Sequence, residues 1–320
     1  LCPARGVSVV GGDGAARPVS TRRPPRDRHP HRRASGTRTV LWLAAFLGLA
    51  VLVGWAFGGQ VIRDQIGREE QAVQPAETEP PPTPFTIPEG LRREDVAELI
   101  DEQIPATGKG AGLTGAAYLD ATAPGPRGRR LAGTGRPTSL EGFLFPATYD
   151  IGTQTTAEIL VDAQVAAYQR ASAGINYRPA ARKNLTEYDV LIIASMIERE
   201  TAIPAERALI ASVIYNRLRV GMPLQIDATV QFAIGEWKKE LTVSDLAVDS
   251  PYNTRVEFGL PPGPIASPGE AALRAAARPR TTDYLFYVAR NDCTGRHYFS
   301  TNAADFEADV ARARENGGEQ

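Results

Sequence analysis

Eight consecutive residues without a charge, Val190 to Ile197 (VLIIASMI), run directly into Glu198-Arg199-Glu200. Thr186 with Asp189 three residues on is a helix start signal related to the capping box. A helix through this run has no polar face, so it is expected to be buried all round. Pro204 suits the first turn of a second helix. That helix places Leu209, Ile210, Val213, Ile214 and Leu218 on one face and can end at Gly221. A chain carrying such a pair has to wrap its other elements around the first helix.

The buried run therefore delivers Glu200 near a helix C-terminus. The helix dipole disfavours a carboxylate there, and so does desolvation; both push its pKa up. A carboxyl kept protonated near neutral pH can serve as a general acid. The pattern alone leaves a second possibility open, in which Glu198 and Glu200 form structural ion pairs with Arg199, Arg207 or Arg217.

Four segments bear on the choice: LEGFLFPATYDI (140–151), ASMIERETA (194–202), NRLRVGMPLQIDATV (216–230) and SPYNTRVEFGLPPGPIASPGEAALRAA (250–276). In this order and spacing they resemble the catalytic domain of the YceG/MltG family, membrane-anchored endolytic lytic transglycosylases of peptidoglycan. The similarity extends over residues 86–310 and is strongest from 140 on. It implies that Glu200, the second glutamate of the E-x-E-T motif, is the catalytic acid. One carboxyl would protonate the glycosidic oxygen between N-acetylmuramic acid and N-acetylglucosamine. It would then accept the proton of the muramyl 6-hydroxyl as a 1,6-anhydro ring closes. Such an activity would limit the length of nascent strands. The remaining polar motif residues, Glu141, Glu198, Asn216, Arg217, Gln225, Asp227, Thr229, Tyr252, Asn253 and Thr254, are candidates for substrate binding. Tyr252, Asn253 and Thr254 offer stacking and hydrogen bonds suited to sugars. Two other functions stay open: a hydrolytic muramidase with Asp227 as second carboxylate, and a non-catalytic membrane-anchored scaffold that binds peptidoglycan.

Residues 1–38 are arginine-rich, with Asp13 and Asp27 as the only acids, and hold almost no large apolar residue. They are expected to form a disordered cytoplasmic tail. No aromatic residue interleaves with the arginines, so nucleic acid is not an expected partner. Residues 39–62 carry no charge and are long enough to cross a ~30 Å hydrocarbon core, with Trp42 and Trp55 towards the ends. The arginine excess before this run keeps the N-terminus inside, which makes the expected protein single-pass in the plasma membrane with its catalytic domain outside. Residues 63–84, rich in Glu, Pro and Thr, form a spacer.

The expected fold is α+β. A small strand–helix unit with a loop (85–139) corresponds, by the resemblance, to a reduced LysM-like subdomain. A mainly helical catalytic domain with a β-hairpin follows (140–315). Phe85 begins a strand, Pro88-Glu89-Gly90 a turn, and Val96, Leu99 and Ile100 share one helix face. Residues 105–135 are expected to be loop with one short helix. Thr155-x-x-Glu158 predicts a surface helix to Ala171. Asp227 is expected to cap a helix ended by Gly235, and Ser267-Pro268-x-Glu270 to start another. Segments 284–289 and 296–300 are expected to form two strands of a hairpin around Asp292–Gly295, and a helix over 303–313 to close the domain.

His29, His31 and His297 make no metal set, and no phosphate loop or dinucleotide fingerprint is present. None of Lys109, Lys183, Lys238 and Lys239 lies in an apolar context that would ready it for Schiff-base chemistry. Neither a cofactor nor a metal is expected. The expected partners are peptidoglycan strands, the membrane and, as further candidates, peptidoglycan synthases.

Overall fold

The computed structural model describes residues 81–104, 110, 112–133, 138–238 and 240–317. The basic tail, the uncharged run 39–62 and most of the 63–84 spacer lie outside these residues. No helix among the described residues is long and apolar enough to cross a membrane. The described chain is α+β: two separate two-stranded sheets among many helices, around two hydrophobic cores.

The smaller core forms where β1 (Thr83–Thr86) pairs antiparallel with β2 (Thr148–Ile151), Phe85 opposite Tyr149. Helix α1 (Arg93–Gln103) buries Val96 and Ile100 in this core, as its periodicity predicts; Ala97 is buried with them, and Leu99 packs on the core only partly buried. Leu140, Leu144 and Ile151 complete the same core, which therefore draws on both sides of residue 140. Between α1 and β2 the described residues form two short helices rather than one, α2 (Gly115–Ala121) and α3 (Pro126–Ala132). The second has the marks that a Gly/Ala/Pro-rich composition conceals: proline in its first turn and Gly133 left-handed at its end (φ +65°).

Helix α4 (Ala157–Ala173) starts one residue later than its sequence signal suggests. Thr156 is the cap, because the Thr155 hydroxyl accepts the Gly152 N–H at 2.9 Å. The helix is not a surface element either. Leu160, Val161 and Val165 enter the small core and Tyr168 enters the large one, so α4 joins the two.

A short helix, α5 (Arg178–Ala181), leads into the centre of the large core, α6 (Glu187–Glu200). Thr186 and Asp189 close a capping box at its start, and all residues from Val190 to Ile197 are buried. Truncating one of them, Ile193→Ala, should cost about 2–5 kcal/mol. The one polar residue in the run has a use. Ser195 Oγ donates to Ile192 O at 2.7 Å and accepts the Ile265 N–H at 3.0 Å, which anchors the long 250–268 loop. Helix α7 (Pro204–Val220) packs alongside and ends at Gly221 (φ +71°), as expected.

Helices α8 (Asp227–Ile234), α9 (Val243–Leu246) and α10 (Glu270–Ala277) surround this pair. Asp227 is the first residue of α8 and not its cap; Ile226 holds the cap position without a side-chain bond, while Gly235 ends the helix as expected. Helix α10 begins at Glu270 with Gly269 at its cap position, two residues beyond the Ser267 signal. Ser267 is otherwise engaged: its N–H donates to Leu91 O and its carbonyl accepts the Gly90 N–H, both at 2.9 Å. These bonds tie the loop to the chain between β1 and α1. Gly142 sits at φ +81° with a hypothetical Cβ 2.6 Å from Pro264, so both backbone conformation and space demand glycine in the LEGF segment.

The second sheet is the expected hairpin, β3 (Phe286–Ala289) antiparallel to β4 (His297–Ser300), with Tyr287 opposite Phe299. Helix α11 (Ala303–Gly317) packs on it.

Candidate active site

Glu200 is the last residue of α6, and the chain turns away at Thr201, whose N–H closes on Ile197 O. Its side chain opens into a cleft of about 460 Å³ lined by Arg217, Leu224, Gln225, Asp227, Arg255, Phe286, Tyr287, Val288 and Phe306. The Tyr287 hydroxyl donates to Glu200 Oε2 at 2.9 Å. Burial raises the Glu200 pKa, and the Asp227 carboxylate raises it further. The Tyr287 hydrogen bond, His297 and Arg199 pull the other way without cancelling the rise. The position at the helix C-terminus acts in the same upward direction. The Tyr287 phenol is itself pushed well above its ordinary range, by burial first and then by Glu200, so it stays a donor.

Arg217 lines the same cleft. Its Nε donates to Leu285 O at 2.6 Å, and its Nη1 to Leu224 O at 2.7 Å, Pro223 O at 3.2 Å and Gln225 Oε1 at 3.3 Å. One guanidinium thus pins the hairpin to the segment before α8. It bonds carbonyls, and no carboxylate. Gln225 is left-handed (φ +55°) and exposed at the cleft. Asp227 forms an ion pair with Arg255 at the rim, Nη2 to Oδ1 2.6 Å and Nε to Oδ1 2.7 Å. A second cavity, about 520 Å³, lies between Lys183, Leu185, Tyr215, Leu218, Arg219 and Leu260. Its lining holds no carboxyl group.

Of the residues singled out from sequence, Glu200, Arg217, Gln225 and Asp227 come together. The others do not line this cleft. Glu198 accepts the Gly269 N–H at the start of α10 (3.0 Å) and faces Arg207 at 3.5 Å. Glu141 accepts the Arg93 N–H at the start of α1 (3.1 Å) and is only 3 % exposed; burial pushes its pKa up to about 8. Asn216 Nδ2 donates to Thr282 O and Tyr284 O. Thr229 and Thr254 are buried with their hydroxyls 2.9 Å apart. Asn253 is buried and donates to Leu246 O and Val248 O. The Tyr252 ring packs on Phe232 with centroids 4.7 Å apart. Asn253 and Thr254 are thus bonded inside the loop that carries Arg255 to Asp227, and none of Tyr252, Asn253 and Thr254 lines the Glu200 cleft. Tyr287, Phe286 and Arg255 line the cleft and were not singled out. The apolar strand segment 284–289 was the signal available for the first two, and the YNTR segment contained the third.

Residues 62–312 match the model of the YceG-like family. The chain belongs to this family. Its YceG-like part is 33% identical to a crystal structure of a putative yceG-like protein from Listeria monocytogenes, with a TM-score of 0.61 over 71% of this chain and 75% of that one. A Streptococcus pneumoniae R6 protein named endolytic murein transglycosylase is 35% identical over 252 residues, 73% of this chain and 45% of its own. A Bacillus subtilis 168 protein of the same name is 43% identical over 155 residues, 48% of this chain and 42% of its own. The YceG-like chain thus spans less than half the length of these two relatives. Among the described residues no group of three or more His, Cys, Asp or Glu is arranged to hold a metal ion.

Proposed function

We propose that this chain is an endolytic lytic transglycosylase that cleaves the bond between N-acetylmuramic acid and N-acetylglucosamine in peptidoglycan, with Glu200 as acid and then base. The observation that carries the proposal is Glu200 itself, a carboxyl of raised pKa in an open cleft with one oxygen bonded to Tyr287. The names borne by the streptococcal and bacillar relatives support the substrate class.

Protonated Glu200 gives its proton to the glycosidic oxygen as the bond from that oxygen to C1 of the muramyl residue breaks. The resulting carboxylate takes the proton of the muramyl 6-hydroxyl, whose oxygen bonds to C1 and closes the 1,6-anhydro ring. Glu200 ends protonated and no water is consumed. Desolvation keeps Glu200 protonated ahead of the first step, and the Tyr287 hydrogen bond stabilises the carboxylate that this step leaves for the second.

Hydrolysis would need a second carboxylate to activate water or attack the sugar. Asp227 is the acid nearest to that role, but its Oδ1 is engaged by Arg255. Digestion of uncrosslinked glycan strands by the full chain in ¹⁸O-water separates the alternatives. Mass spectrometry should find fragments ending in 1,6-anhydro-N-acetylmuramic acid, each lighter by one water than a hydrolytic product. Reducing ends carrying ¹⁸O would make the protein a muramidase, and no new ends from folded protein would favour a scaffold.

The uncharged run 39–62 after an arginine-rich segment supports a single membrane anchor with the catalytic part outside. Peptidoglycan synthases acting on the same strands are then the natural protein partners. A membrane-impermeant thiol label at Ala76→Cys should react in intact spheroplasts; reaction only after lysis would reverse the orientation.

A further inference from the structure

Residues along α7 grip the segment that leads into β3, the strand of Tyr287, and the first residue of β4. Asn216 holds Thr282 O at 2.8 Å and Tyr284 O at 2.9 Å, and Arg217 holds Leu285 O. The Ser212 hydroxyl lies 2.7 Å from that of Thr282. On β4, buried Glu206 accepts the His297 N–H at 3.1 Å and faces His297 Nδ1 at 2.8 Å. The His297 ring meets Tyr287 edge to face, 5.5 Å between centroids at 83°. A phenol on a strand held this way has few orientations open to it, and the one it adopts puts its hydroxyl on Glu200.

We infer that Tyr287 is a positioning residue for the proposed reaction: it occupies Oε2 of Glu200 and leaves Oε1 to exchange protons with the substrate. The inference rests on Glu200 being the acid. A carboxyl with two unoccupied oxygens can carry its proton on either, and only one faces the scissile bond. Because the phenol remains a donor, Oε2 is kept as an acceptor and the transferable proton resides on Oε1. The same bond stabilises the carboxylate left after proton transfer, against the effects of burial and of Asp227.

Two readouts on Tyr287→Phe test this. The first is the pH dependence of kcat/KM for release of anhydro ends. The second, without substrate, is the infrared band of the protonated Glu200 carboxyl, assigned by its loss in Glu200→Gln. A general acid must be protonated, so activity falls as pH rises through its pKa. Removing a donor to the carboxylate raises that pKa, so the fall should move up by about one pH unit. The carboxyl band should persist to correspondingly higher pH, and kcat should drop about 10- to 100-fold with KM little changed. 3-Fluorotyrosine at position 287 keeps the shape and strengthens the donor, so it should move limb and band downward even where the Phe variant does not fold. A limb and a band that stay in place in the folded variants would reduce Tyr287 to packing and overturn the inference. Should wild type release no anhydro ends, the transglycosylase proposal falls, while the band alone still decides whether Tyr287 governs Glu200.

Discussion

Glu198 and Glu200 stand two residues apart on the last turn of α6 and serve opposite sides of it. Glu198 Oε2 accepts the Gly269 N–H at 3.0 Å, while Glu200 Oε2 accepts the Tyr287 hydroxyl at 2.9 Å. The spacing requires this divergence, because residues two apart on a helix do not share a face. One carboxyl therefore holds the fold and the other opens to the cleft.

Substitution should separate the two. Glu200→Gln keeps the shape but has no proton to give; it should melt within a few degrees of wild type and release no anhydro ends. Glu198→Gln removes one of the two carboxylates, Glu198 and Glu89, that face the partly buried Arg207 guanidinium, and should lose about 1 kcal/mol in urea unfolding. It should retain activity wherever it is folded. A folded, inactive Glu198→Gln beside an active Glu200→Gln would move the acid to position 198.

Glu141 gives the protein a pH-dependent stability of definite sign. Its pKa is about 8 when folded, above the ordinary carboxyl value of 4.5, so the folded state binds the extra proton between these limits. The stabilisation is full below the unfolded pKa and is lost as pH rises towards 8, by up to about 1.4 kcal/mol per pH unit. Glu141→Gln should flatten this decline in urea midpoints measured from pH 5 to pH 9. An equally steep decline in the variant would assign the titration to another group.

Arg217→Lys should fail as a conservative change. Lysine cannot span the Leu285, Leu224 and Pro223 carbonyls that the guanidinium fork reaches. A loss of about 2–4 kcal/mol is expected from the buried acceptors left unpaired. Because the same bonds hold the strand of Tyr287, the alkaline limb of the pH profile should move with stability. Unchanged urea midpoints would mean that the hairpin is held by other contacts.

The helix pair at the centre was legible because its signals are local: an unbroken apolar run, a capping box, a proline and a glycine. The hairpin was legible from two aromatic-rich segments on either side of the polar turn Asp292–Gly295. Where the sequence misled, a long-range partner had claimed a local signal. Ser267 has the features of a cap, but its backbone is bonded to Leu91 and Gly90, and α10 instead has Glu198 at its start. Thr229 and Thr254 look like sugar-binding hydroxyls, yet they satisfy each other in the interior. Tyr287 was passed over for a related reason. Its segment reads as a strand, but nothing near it in sequence announces a carboxyl 87 positions away.

Asp227 tests the site from the side opposite to Tyr287. Its negative charge raises the Glu200 pKa, so Asp227→Asn should lower it, and Arg255, released from its ion pair, adds to the fall. The alkaline limb of kcat/KM should therefore move to lower pH, the reverse of the shift expected for Tyr287→Phe. Exposure of the Asp227–Arg255 pair limits its worth to stability to at most about 1 kcal/mol, so the variant should fold. In a transglycosylase, whose nucleophile comes from the substrate, it should still release anhydro ends below the shifted limb. In a muramidase that depends on Asp227 as base or nucleophile, turnover should vanish at every pH. Product analysis of this one variant at pH 5 therefore tells whether the second carboxylate of the cleft takes part in the chemistry or only sets the field in which Glu200 titrates.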